Sequence, residues 1–469
     1  MSDTTASSTP PSDRPTAVHP DGDGPGGASG GTPRQVVAWA LWDWATQPFN
    51  TVIVTFVFTA LYLTSDAFLE PSVAVLGSDD PAKERALAGL TSGLGAWVAV
   101  GGVLVALLAP VLGQRADAGG RRKAWLGGAT LLLVACMLGM FAVRADPAYF
   151  VLGAALVSLG SVASEIAGVN YNAMLVRVST PRTVGRVSGL GWGLGYLGGI
   201  VALVLVIVAT EADWWGMPTD DGLAYRVIAV GCGLWAVAFA WPLFRYVPEA
   251  PPAADRPRVG FFAGYVVLWR DVVALFRSAR PTFWFLVASA VYRDGLSAVF
   301  TFGAVIAAVS FGFGTQEVMV FGIAANLLAG LSTIVAGRLD DRFGPRAVII
   351  GSLTGLVVCG LAVVALHPLG TIVFWAAGLA LTCFVGPAQA ASRSLLARVA
   401  PPGRESEIFG LYATTGRAVS FLAPSLWALV VALTGATIWG TLAIVAVVIA
   451  GLGLMLVVPA TTGAAARRP

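Results

Sequence analysis

Apolar residues in this chain fall in runs of about 20, the length that crosses a bilayer core as a helix, and short polar breaks separate them. Twelve such runs are read, at roughly 36–64, 88–113, 124–143, 148–172, 188–210, 225–245, 282–310, 317–337, 347–366, 370–393, 407–434 and 437–459. The short alternating segments that build transmembrane barrels are absent. The pattern therefore predicts an all-α integral membrane protein with twelve transmembrane helices. Residues 1–34 are mostly Ser, Thr, Pro, Gly and Asp, so they are expected to be disordered. They lack the apolar stretch after a basic start that a signal peptide needs. The expected units are this tail, a six-helix bundle over 35–245, a linker over 246–281, a second bundle over 282–459 and a tail over 460–469. Within the linker, Phe261–Phe276 has the character of an interfacial helix.

Composition strengthens this reading. The chain is 57% hydrophobic and 12% charged, half the charge of an ordinary soluble domain at about 25%. Too few polar groups exist to cover a water-exposed surface, which excludes a soluble enzyme. A net charge of +3 suggests no nucleic-acid partner. Cys136, Cys232, Cys359 and Cys383 all lie in apolar runs, where neither a disulfide framework nor a metal site is expected. The two lysines, Lys83 and Lys123, follow Ala82 and Arg122, so no phosphate-binding Gly-Lys loop exists. No cofactor and no catalytic residue is expected. The preference for arginine, with abundant Ala, Gly and Val, suggests a GC-rich genome and hence a bacterial cell membrane.

Charge placement gives an orientation. The loops after the odd-numbered spans hold only Lys83, Arg85, Arg144 and Arg226 of the 29 basic residues, while carrying Asp79, Asp80, Glu84, Glu211, Asp213, Asp220 and Asp221. Arg293 and Arg417 fall deep within spans, and all other basic residues, Arg393 at the very end of span ten included, lie on or at the opposite side. Basic loops stay in the cytoplasm, so both termini are expected there.

The two halves repeat each other. Gly113, Asp117 and Gly120, followed by Arg121 and Arg122, match Gly337, Asp341 and Gly344, followed by Arg346. Leu175, Arg177, Val178, Pro181, Gly189, Leu190 and Gly195 match Leu396, Arg398, Val399, Pro402, Gly410, Leu411 and Gly416 at one constant separation. Two six-span halves in the same orientation resemble the plan of the major facilitator superfamily. In the repeated loop the glycines permit tight turns, and the aspartate can cap the next helix or pair with a nearby arginine. It is expected to latch the cytoplasmic gate.

A narrower resemblance lies in Ala38-Trp-Ala-Leu-Trp42-Asp43-Trp44-Ala-Thr-Gln-Pro-Phe49, in Tyr171-Asn172 with Gly185–Gly199, and in Ser392-Arg393-Ser394-Leu395 with Phe409-Gly410-Leu-Tyr412. These blocks resemble the vacuole effluxer family of autophagy-related amino-acid exporters. That resemblance implies a secondary transporter with amino-acid efflux as its activity. Gln47-Pro48 stands where the family commonly has small polar residues, and Arg293 beside Asp294 is not its usual neighbour.

Polar residues inside the spans mark the candidate cavity, because a charge at mid-bilayer costs about 2.5–3.5 kcal/mol and so faces protein or water. Span one carries Asp43, Gln47 and Asn50 on one stripe, span four Ser158, Ser161, Glu165 and Asn172, span seven Asp294, Ser297 and Thr301, and span ten Thr382, Gln389 and Arg393. In the superfamily plan these four helices line the central cavity. Arg417 in span eleven adds a charge where the first half has Tyr196. Counting the helical rise places Asp43 and Glu165 at similar depth, about 10 Å from the cytoplasmic side, where they could share a proton or a cation. The plainer reading ties Glu165 or Asp294 to Arg417 or Arg293. Pro48 removes a donor and frees the carbonyl of residue 44 as a second oxygen beside Asp43. Gly191, Gly195 and Gly199 read as close helix packing.

These features predict a monomeric or weakly associating, proton-coupled transporter of a small zwitterionic solute, with protons, the solute and the bilayer as its partners. A proton-driven exporter of apolar cations is the alternative. A transport-inactive receptor or scaffold would have no need for two gate motifs.

Overall fold

The computed structural model describes residues 30–77, 80–211, 221–249 and 260–458. The expected disorder of residues 1–29, the tail 460–469, and Asp79, Asp213 and Asp220 lie outside the described residues. Among the described residues, twelve helices are long and apolar enough to span a membrane: α1 (Pro33–Leu63), α2 (Pro81–Gly119), α3 (Arg122–Ala142), α4 (Pro147–Val178), α5 (Val184–Thr210), α6 (Leu223–Tyr246), α7 (Arg280–Ser310), α8 (Gln316–Phe343), α9 (Pro345–Ala365), α10 (Thr371–Val399), α11 (Glu405–Thr434) and α12 (Thr437–Val457). No strand occurs among the described residues. A further helix, Phe261–Ser278, lies between α6 and α7.

The helix ends follow from local chemistry. Thr32 and Gln35 form a reciprocal capping box with Pro33 at the first helical position. Pro33 and Arg34, expected in the tail, therefore belong to α1. Asp80 caps α2, and Gly120 ends it with a φ of 56°, a left-handed conformation that glycine adopts without strain. Inside α1, Pro48 has no amide to donate, and the helix continues through wide π-helical turns at Phe49–Phe56 and Phe58–Leu63.

Packing repeats between the halves. In the first, α1 packs on α5 and α6, and α4 on α2 and α3; in the second, α7 packs on α11 and α12, and α10 on α8 and α9. The halves meet chiefly along α5–α8 and α2–α11. At the end bearing the repeated glycine–aspartate motifs, one apolar core runs through both halves, from Trp39 and Tyr171 to Tyr292 and Phe409. Toward the other end it divides. Phe49, Tyr62 and Met137 belong to a core of the first half, and Phe311, Phe321 and Phe374 to a core of the second. The molecule is thus closed at the motif end and parted at the other. Its outer face carries apolar side chains such as Val103, Leu107, Leu131, Val151 and Val335, more than half or nearly half exposed, as a lipid-facing surface requires.

Candidate functional site

The motif end closes through two equivalent latches. Asp117 accepts the backbone N–H of Ser406 at 3.2 Å and of Glu407 at 2.9 Å. These are first-turn amides of α11, which have no partner within their own helix. Asp341 does the same for α5, accepting the N–H of Gly185 at 2.7 Å and of Arg186 at 3.1 Å. Each aspartate therefore caps a helix of the opposite half, not the next helix in sequence. The cap is favoured by the helix dipole, and each bond joins the halves.

The glycines make this approach possible. A Cβ at Gly113 would lie 2.3 Å from the Ser406 carbonyl oxygen, and one at Gly337 would lie 2.8 Å from that of Gly185. Gly113→Ala is expected to hold α2 off α11. Spin labels on the two helices should then read a longer distance across the motif end, and an unchanged distance would remove this contact from the gate.

The latches differ in their charges. Arg122 lies between Asp117, at 2.7 Å, and Glu405, all three largely buried. On the other side Arg398 reaches Asp340 at 2.7 Å and Asp341 at 3.4 Å. Arg346 was expected to act in the gate, but it donates to the carbonyls of Val458 and Leu456 and caps the end of α12 within its own half. Arg121 is exposed and makes no ion pair among the described residues. Gly344, with φ 86°, turns the chain from α8 into α9.

Between the latches lies a second seal. Arg393 on α10 donates to Asp43 Oδ2 at 3.1 Å, to Asn172 Oδ1 at 3.1 Å, and to the hydroxyl and carbonyl of Ser188 at 3.0 and 2.6 Å. Tyr171 donates its phenol to the same Asp43 oxygen at 2.9 Å, and its ring is stacked between Trp39 and Trp42 at 4.4 Å from each. Asn172 and Arg393 are equivalent positions of the repeat, so their contact marks where the two halves meet about their common axis. Gly191 leaves room for the pair, since a Cβ there would come within 3 Å of both Arg393 and Asp43. Asp43, Asn172 and Arg393 thus form a bridge at the closed end instead of lining the cavity.

The cavity itself, about 530 Å³, is lined by Gln47, Asn50, Glu165, Trp192, Tyr196, Arg293, Asp294, Asn326, Gln389 and Arg417, among others. Arg417 donates to Glu165 at 2.5 Å, each about one third exposed. Asp43 and Glu165 therefore share no site: each has its own arginine from the other half. Asp294 pairs with neither arginine. It accepts the Ala423 N–H at 2.6 Å, where α11 restarts after a break near Ser420. Arg293 instead donates to the Tyr412 carbonyl at 3.0 Å and lies 3.9 Å over that ring. The carbonyl freed by Pro48 is also taken, because the Trp235 indole donates to the Trp44 carbonyl at 3.2 Å. An adjoining apolar pocket of about 140 Å³ shares Phe56, Phe300 and Asn326 with the cavity.

Sequence reasoning did not single out Ser188, Tyr171 or Glu405 as parts of the gate, nor Trp192, Tyr196 and Asn326 as cavity wall. Ser188 and Tyr171 both lie in blocks already notable for their resemblance, which was the available signal. Glu405 carried none.

Known proteins share this architecture. Among solved structures, the human organic anion transporter MFSD10 superposes with a TM-score of 0.68 at 15% identity, covering 90% of this chain and 100% of that one. The proton:xylose symporter XylE does so with a TM-score of 0.67 at 13% identity, covering 91% and 94%. Such likeness establishes the major facilitator fold. In sequence, the MFS-type transporter YxiO of Bacillus subtilis is 25% identical over 433 residues, 92% of this chain and 96% of YxiO. Autophagy-related protein 22 of Cryptococcus neoformans is 25% identical over 301 residues, 59% of this chain and 52% of the fungal protein. The chain thus spans about half the length of that fungal relative. Residues 178–467 match the family described as Vacuole effluxer Atg22 like. With a twelve-helix facilitator fold, a charged central cavity and this match, the chain is a multi-pass membrane transporter, not an enzyme, and belongs to the Atg22-like vacuole effluxer family.

Proposed function

We propose that the protein exports a small zwitterionic solute of the amino-acid class across a bacterial plasma membrane, coupled to protons, by alternating access. The observation that carries this reading is the presence of both charge signs in one cavity, with Arg417 and Glu165 facing each other and Asp294 nearby. A solute carboxylate would take Arg417 from Glu165, and its amine would take a released carboxylate. Basic loops support a cytoplasmic motif end and cytoplasmic termini, which makes the conformation described here outward-open. The two bundles, 35–245 and 282–459, would rock about the Asn172–Arg393 contact as the latches part.

Uptake and counterflow by the purified protein in liposomes, across an amino-acid panel with and without a pH gradient, test this reading. Arg417→Gln is expected to weaken half-saturation for any carboxylate-bearing solute by about 10-fold or more, since a charge-assisted bond is worth about 1.5–3 kcal/mol. Arg417→Lys keeps the charge but loses the planar fork and is expected to fall between. Unchanged affinity in both variants would reduce Arg417 to a helix tie. The apolar pocket that adjoins the acid-bearing cavity favours one second reading, export of an apolar cation; transport of such a cation with no amino-acid counterflow would select it.

A further inference from the structure

The helix Phe261–Ser278 presents two unlike faces. On one, Leu275 is buried, Tyr265 donates to the Leu107 carbonyl of α2 at 3.0 Å, and Asp271 reaches inward to Arg404 at 2.8 Å. On the other, Phe262, Val266, Trp269 and Phe276 are 83%, 55%, 71% and 45% exposed. Their spacing sets them on a single stripe, and the exposed Arg270 and Arg277 flank it along one edge. The stripe does not end with the helix. Phe276 meets Phe283 edge-on at 5.2 Å, and Trp284 beside it, 41% exposed, begins the lipid-facing surface of α7.

We propose that this helix is a docking surface for the anionic headgroups of the surrounding membrane, and that lipid seated there steadies the closed gate. The occupant follows from two features. The apolar stripe is continuous with a surface already in lipid, and arginines along its edge lie at headgroup level, where they attract acidic lipid.

A defined connection carries the effect inward. Arg404 bridges Asp271 of this helix and Glu407, whose side chain is fully buried, the latter at 2.8 Å. The Glu407 amide is one of the two held by Asp117. Lipid, linker helix, Arg404 and the α2–α11 latch thus form one line of contacts. The inference concerns the gate alone and stands whatever solute is carried.

Hydrogen exchange of the full-length protein tests it, in nanodiscs of phosphatidylcholine alone or with about one third phosphatidylglycerol. One arginine near an anionic surface is worth a factor of about five, so two are expected to slow exchange over 261–278 by up to about 30-fold when acidic lipid is present. Protection should extend to 404–411. Arg270→Gln with Arg277→Gln, both exposed and so tolerated by the fold, should remove the lipid dependence. Asp271→Asn should keep it over 261–278 but lose it over 404–411. Equal exchange in the two membranes, or a lipid effect that survives the double arginine variant, overturns the docking surface. Protection of 404–411 that survives Asp271→Asn overturns the connection to the gate. Soluble glycerol phosphate that reproduces the protection in phosphatidylcholine overturns the assignment to a lipid surface.

Discussion

Asp117→Asn is expected to shift the protein strongly toward a conformation open at the motif end, and to slow turnover without weakening solute binding. The carboxylate holds two amides of α11 and Arg122 together, all in a buried setting. Asparagine retains one acceptor oxygen, loses the charge, and turns an NH2 group toward donors. Bonds to a charged group contribute about 1.5–3 kcal/mol each, so a loss of about 3 kcal/mol, or about 100-fold in the closed-to-open ratio, is expected. The cavity residues do not touch Asp117, which is why affinity should hold. Distances between spin labels across the motif end, read beside transport in liposomes, check both parts. Wild-type turnover with an unchanged distance distribution would end the latch reading. Asp341→Asn is expected to act in the same direction but more mildly. Its loop lacks the basic triplet Arg121–Lys123, Val184 stands where the other latch has Glu405, and Arg398 keeps Asp340 as a partner.

The second large effect is expected at the seal. On the proposed proton coupling, Asp43→Asn is expected to abolish accumulation driven by a pH gradient while leaving counterflow of labelled solute largely intact, because exchange needs no net proton movement. Asp43 is the one carboxylate that joins α1 to Arg393 across the halves, so its charge and the closure of the motif end are coupled. Arg393→Gln is expected to be more damaging, losing counterflow as well. Either substitution breaks the Asp43–Arg393 pair, but asparagine at 43 keeps an oxygen that can accept from Arg393, whereas Arg393→Gln also takes the donor away from Asn172 and Ser188. The double substitution, Asp43→Asn with Arg393→Gln, should recover part of the exchange, since no unpaired charge remains. Continued accumulation by Asp43→Asn would move the coupling role to Glu165 or Asp294.

Asp43 and Arg393 also show where reading the sequence stops. Both were recognisable as functional, because a charge in an apolar run needs a reason. Their pairing was not, since they are separated by 350 residues and by the rotation of two helices. Depth along each helix suggested that Asp43 and Glu165 were neighbours. Depth measures one coordinate only; the azimuth of each helix gave them different arginines. Asp117 was legible as a cap, yet which helix it caps depends on how the halves approach. Arg346 occupies the repeat position of Arg122 and serves another helix end, because repeat symmetry fixes backbone placement but not the partners a long side chain finds. The carbonyl freed at Pro48 followed from local geometry, while its capture by Trp235 required α6 to lie alongside.

What the sequence by itself determined is local or periodic: the number of spans, the tight turns that the glycines of the repeated loop permit, the repeat itself, and the uneven placement of basic residues between alternate loops. Each rests on runs or spacings within about one helix length, or on a pattern copied once along the chain. The tertiary structure decided which acid faces which arginine, which end is sealed, and that Asp43, Asn172 and Arg393 form the seal while Glu165, Asp294 and Arg417 line the cavity. These depend on helix rotation and on the relative tilt of the two halves, and a transporter must be able to change that tilt without changing a residue.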